Sequence, residues 1–164
     1  MSFLKKIIFF ILFFGISGCG NGLPLWPDLP VPIEVERPED WETAEIFNQE
    51  VGYDIFYQSE DGCGIKIDLV DKLKGRVIAQ TEHGFCKDGK MNVTIKIEHR
   101  YYDRLSRDGT RERYIHVLAH ELGHALGAPH MEGENTMRPN APLVGDMHEL
   151  MQPLVQWIHD NYDN

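Results

Sequence analysis

Apolar residues recur along this chain with two different periods, and the switch between them sketches a fold. Trp41, Ala44, Phe47 and Val51 fall at helical spacing behind Pro38, with Glu39 and Asp40 in the first turn and Gly52 just past the end. This predicts an amphipathic helix over 38–51 whose apolar face packs on a sheet. Strands are predicted at 53–58, 64–69, 76–81 and 91–98; in the last, Val93, Ile95 and Ile97 alternate with Thr94, Lys96 and Glu98. The period then returns to that of a helix. Tyr114, Leu118, Leu122 and Ala125 form one buried stripe, and Thr110 or Asp108 stands where a cap is needed. Asp146 and Glu149 open a last helix carrying Met147, Leu150, Leu154 and Ile158, in which Pro153 predicts a kink or a fresh start. A helix, a set of strands and two further helices make an α+β domain, and 164 residues suffice for one core.

The first residues do not belong to that domain. Lys5 and Lys6 precede an apolar run over 7–16, too short to span a bilayer but suited to an export signal. Ile16-Ser17-Gly18-Cys19 resembles the lipobox of bacterial lipoproteins. The resemblance implies a signal peptide over 1–18, a lipid on Cys19 and a membrane anchor; an ordinary secretory signal with an incidental cysteine is the alternative. Gly20 in place of Asp resembles sorting to an outer membrane. Pro24, Pro27, Pro30, Pro32 and Pro38 then read as a stiff tether over 19–37, able to reach roughly 60 Å. The domain proper is expected over 38–164.

The formal charge is −10. Without residues 1–18, which carry two lysines and no acids, 14 basic against 26 acidic residues leave −12. Such a surface disfavours nucleic acid as a partner. With Cys19 assigned to lipidation, Cys63 and Cys86 remain as an even pair in an oxidising compartment and are expected to form a disulfide; buried free thiols are the alternative.

The chemistry is concentrated in His120-Glu121-Leu122-Gly123-His124-Ala125-Leu126-Gly127-Ala128-Pro129-His130. Residues four apart share a helix face, so His120 and His124 reach one ion while Glu121 stands beside it. Gly127 supplies a left-handed end and Pro129 prevents continuation, so the chain reverses and returns His130 toward the pair. Three imidazoles with an open fourth position suit zinc, and other divalent ions could enter the same set in vitro.

H-E-x-x-H-x-x-G-x-x-H followed by a methionine turn resembles the signature of the metzincin zinc peptidases, with Met137 in Asn135-Thr136-Met137-Arg138-Pro139 as the turn. The short His130 to Met137 spacing and the Met-x-Pro ending look most like the matrixin branch. The motif covers only residues 120–139. The resemblance implies a zincin-like domain with a twisted, mostly parallel sheet of four to five strands, an N-terminal helix, an active-site helix and a C-terminal helix. It also implies one catalytic Zn2+ on His120, His124 and His130, Glu121 as general base for a metal-activated water, and Met137 as an apolar floor. Some branches carry a tyrosine two residues after the methionine as a further ligand; here that position is Pro139. Residues 139–144 would line the pocket for the substrate residue after the cut.

The activity implied is endoproteolysis of extracytoplasmic proteins or peptides by an enzyme tethered to the cell envelope. The alternative is a non-catalytic zinc-binding envelope lipoprotein, disfavoured because Glu121 is kept. Oligomeric state and substrate are not legible, and the inhibitory cysteine segment common in matrixins is not seen. His116, on the stripe of His120, reads as exposed rather than as a residue of the site. His83-Gly84 faintly resembles a structural-zinc segment but lacks its companions, and His99, His148 and His159 read as surface residues.

Overall fold

The computed structural model describes residues 24–75, 77–100, 102, 111–139 and 145–163. The signal segment, Cys19, the two candidate caps Asp108 and Thr110, and residues 140–144 of the expected substrate pocket lie outside that set. Among the described residues the elements run in the order β1 (Val31–Glu34), α1 (Pro38–Val51), β2 (Phe56–Gln58), β3 (Ile65–Val70), β4 (Ala79–Phe85), β5 (Met91–Glu98), α2 (Arg111–Ala125) and α3 (Met147–Tyr162). The strands form one sheet in the order β2-β1-β3-β5-β4, parallel except for the antiparallel edge pair β4–β5. No helix among the described residues is long and apolar enough to cross a membrane.

Parallel sheets are usually covered on both faces and read as continuous apolar runs. Here the strands alternate. Val31, Ile33, Ile65, Ile67, Val93, Ile95 and Ile97 are buried on one face, while Lys66 pairs with Asp68 and Lys96 with Glu82 on strands whose other positions are polar. The buried face joins Phe47 and Val51 of α1, Leu118 and Leu122 of α2, and Leu154 and Ile158 of α3 in one core. Helix α1 starts and stops where its sequence predicts, with Pro38 in the first turn and Gly52 left-handed at φ 88°. Its Asp40 is fully buried, bound by Arg37 and by the Tyr114 hydroxyl, so the start of α1 is tied to α2.

Two expectations need correction, and a third is narrowed to one of its alternatives. The segment 19–37 is not a tether throughout: residues 31–34 form β1, with paired strands on both sides, and Trp26 is buried. Prolines hid this strand, because Pro32 lacks the N–H of an interior strand. Pro32 is tolerated because the β1–β3 register begins one residue later, at Ile33 opposite Ile65. Gly64 then passes so close that a Cβ there would collide with the Pro32 carbonyl. Second, the strand expected at 76–81 lies at Ala79–Phe85, shifted onto the edge, and the one expected at 53–58 is shorter, at Phe56–Gln58. Third, α3 is one helix that runs through Pro153, which sits on its exposed face, so there is no fresh start.

Cys63 and Cys86 stand at bonding distance, S–S 2.11 Å, and join the start of β3 to the end of β4 across β5. A crosslink separated by 23 residues removes chain entropy from the unfolded state. Reduction, or the double change to alanine, is expected to cost about 3 kcal/mol, measured by urea unfolding with and without reductant. At the end of β5, the Glu98 carboxylate is buried and accepts from the Leu73 N–H and from Arg100 Nε, both at 2.7 Å. The Leu73 hydrogen bond first, then Arg100, hold this carboxyl below its ordinary value against the effect of burial. Its contribution to stability is therefore complete above the unfolded carboxylate value, near pH 4, and is lost as pH falls through the lower folded value. Glu98→Gln is expected to flatten the acid limb of a plot of Tm against pH, while leaving the slope above pH 6 unchanged.

Candidate metal centre

Helix α2 delivers two imidazoles and a carboxylate from one buried face: His120, His124 and Glu121 are 8%, 4% and 7% exposed. It ends in a Schellman motif. Gly127 is left-handed at φ 97°, the Ala128 N–H bonds Gly123 O at 2.9 Å, and the Gly127 N–H bonds His124 O at 2.9 Å. That reversal also turns the Ala128 carbonyl back onto His124 Nδ1 at 2.9 Å. Beyond Pro129 the chain brings His130 alongside, with ring centroids 5.3 Å from His120 and 4.8 Å from His124. The loop from His130 to Met137 is stitched by Met131 N–H to Met137 O and by Met137 N–H to Asn135 Oδ1, and the Thr136 carbonyl meets His120 Nδ1 at 2.7 Å.

These carbonyls decide the chemistry of the rings. A carbonyl can only accept, so the proton of His120 and of His124 sits on Nδ1, and each Nε2 presents a lone pair. The two Nε2 atoms are 3.1 Å apart, and one nitrogen from each of the three histidines lies within 4.8 Å of the others. Lone pairs turned toward each other repel unless a cation stands between them, and nitrogens around a tetrahedral zinc at 2.0–2.1 Å are spaced by about 3.3 Å. The rings are held neutral, as ligands must be. Burial, then the neighbouring His120, pushes His124 down to about 4, and burial lowers His120 and His130. The donor set therefore fits a borderline divalent ion.

Glu121 lies on the adjacent helix position, and burial pushes its carboxyl up to about 7, with the Thr81 hydroxyl working in the opposite direction. A dication in the histidine cluster would favour its charged form. Met137 is fully buried beneath α2. Gly123 makes room for it: a Cβ there would collide with the Met137 sulfur and stand 3.2 Å from Leu154 Cδ2.

The cluster thus brings together His120, Glu121, His124, His130 and Met137, all named by the motif. Four contributors were not legible in the motif. Thr81 on β4 bonds the Glu121 carboxylate, and His83 on the same strand face reaches His124 O at 3.1 Å. Trp26 Nε1 donates to Ala125 O at 2.8 Å, and the Tyr162 hydroxyl donates to Leu126 O at 2.6 Å, so residues far apart in sequence secure the carbonyls at the end of α2. The alternation of Thr81 and His83 on a strand was the available signal, but the strand was expected to stop at Thr81. His116, expected to be exposed, is 6% exposed, and its ring is engaged with the Gly145 backbone. Comparison with protein-family models, with curated proteins and with solved structures returned no match.

Proposed function

We propose that this chain is a zinc-dependent endopeptidase of the metzincin kind, matrixin-like, held at a bacterial cell envelope by a lipid on Cys19. The observation that carries the reading is the convergence of three imidazoles, two with their protons fixed on Nδ1 by backbone carbonyls, beside a buried carboxylate. Zinc bound there supplies Lewis acidity that polarises a scissile carbonyl and acidifies water. The chain's own residues do the rest. Glu121 takes the proton of the attacking water and returns it to the departing amine, so one carboxylate serves both halves of hydrolysis. With Pro139 at the position of a tyrosine ligand, the three histidines are the ligand set among the described residues.

The docked Trp26 changes the expected reach. Only six residues stand between it and Cys19, at most about 25 Å of extended chain. The domain would then work close to the bilayer, on proteins or peptides presented near that surface.

Elemental analysis of the purified chain is expected to find one zinc per molecule. His130→Ala is expected to weaken zinc binding by at least about 100-fold, read by competition with a chromophoric chelator. A peptide library should be cleaved by the zinc-loaded chain and spared after chelation. A chain that folds but holds no zinc, or holds it and cleaves nothing in the library, sinks the reading.

A further inference from the structure

The strand that flanks the motif helix does more than close the sheet. Among the described residues β4 pairs only with β5, in antiparallel register, with Thr81 opposite Ile95 and His83 opposite Val93, and Ile95 and Val93 both point into the core. Thr81 and His83 therefore share the face turned toward α2. His83 meets the helix backbone at His124 O, whereas Thr81 meets a functional side chain. Its Oγ1 is 2.6 Å from Glu121 Oε2 and 3.1 Å from Glu121 O. A hydroxyl has one proton to give, and the carboxylate oxygen is both the closer and the stronger acceptor.

We propose that Thr81 is a positioning residue for Glu121: its hydroxyl fixes Oε2 and so leaves Oε1 as the oxygen that exchanges the proton with water and leaving amine. This rests on the peptidase reading above. A glutamate has three side-chain torsions, and its reactive oxygen must be held to a fraction of an ångström for proton transfer. Helix α2 fixes only the Cα. A threonine on a strand is suited to fixing the other end, because its branched Cβ restricts χ1 and its backbone is registered on β5. Valine at the same position fills the same shape without donating, and serine donates without the methyl group.

The test compares the zinc-loaded full-length chain with Thr81→Val, Thr81→Ser and both changes in a Glu121→Ala background. Thr81→Val is expected to lower kcat by roughly 10-fold or more with KM little changed. Thr81→Ser should recover most of that loss, and Thr81→Val should cost nothing further once Glu121 is alanine. A readout independent of turnover is the carboxyl 13C resonance of Glu121 in the metal-free protein, which should shift in Thr81→Val and return in Thr81→Ser. The absorption spectrum of the cobalt-substituted protein should be the same in all three, showing the histidine set intact.

An unchanged kcat in Thr81→Val, or an equal loss in the Glu121→Ala background, overturns the proposal. So does a Thr81→Val protein whose Glu121 resonance is unmoved. If the wild-type chain shows no Glu121-dependent hydrolysis, the peptidase reading fails instead, and the carbon resonance still decides whether Thr81 holds Glu121.

Discussion

Glu121→Ala is expected to lower peptide hydrolysis by about 10²- to 10⁴-fold while leaving one zinc per chain and an unchanged thermal midpoint. The direction follows from placement. Glu121 is 7% exposed and one residue away from His120, so it is beside the nitrogen cluster without contributing to it. Removing it takes away the proton acceptor and leaves the three imidazoles, whose Nδ1 contacts run to Thr136 and Ala128 and not to Glu121. Stability should change little, because the histidine contacts stay in place and the Thr81 hydroxyl keeps the backbone carbonyl of residue 121, 3.1 Å away, as an acceptor. The measurement is kcat/KM on a library-derived peptide, with zinc content determined on the same sample. Equal rates for the two proteins would remove the catalytic role of Glu121 and leave a zinc-binding module.

The second large effect concerns where the domain begins. A chain cut to start at residue 38 is expected to be unfolded, and one that starts at residue 24 to melt cooperatively. The shorter fragment loses β1, on which β2 and β3 both pair, together with the buried side chains of Trp26, Val31 and Ile33. Burial of three such side chains contributes on the order of 5–9 kcal/mol, a large part of the 5–15 kcal/mol by which domains of this size are stable. The loss also reaches the centre directly, because Trp26 caps the Ala125 carbonyl at the end of α2. Circular dichroism melts of the two fragments decide the matter. A cooperative transition for the fragment from residue 38 would return the segment 19–37 to the status of a linker.

Local rules made much of this molecule readable. Helix α1 has a proline start, an acidic first turn and a glycine stop, and each acts within a few residues, so its ends agree with the sequence. The reversal at Gly127 is equally local: only a left-handed residue there lets Ala128 and His130 turn back. Strand β5, with Val93, Ile95 and Ile97 buried, declares itself by alternation. Strand β1 does not, because prolines signal an extended exposed chain, and only the neighbouring β2 and β3 give Val31 and Ile33 an interior to face. Strand β4 does not declare its bounds either, because Gln80, Glu82 and Gly84 carry little apolar signal on an edge.

Local rules alone make legible the three histidines, the carboxylate beside them, the helix that carries them and the turn that returns His130. These depend on contacts within some twenty residues and on the chemistry of the side chains. Only the assembled sheet brings Thr81 onto Glu121 from 40 residues away and Trp26 onto Ala125 from 99 away, and makes a strand of residues 31–34 in the proline-rich segment. Such contacts have no local periodicity to betray them, since they exist only once the sheet has placed its edge strand against α2 and its first strand among its neighbours.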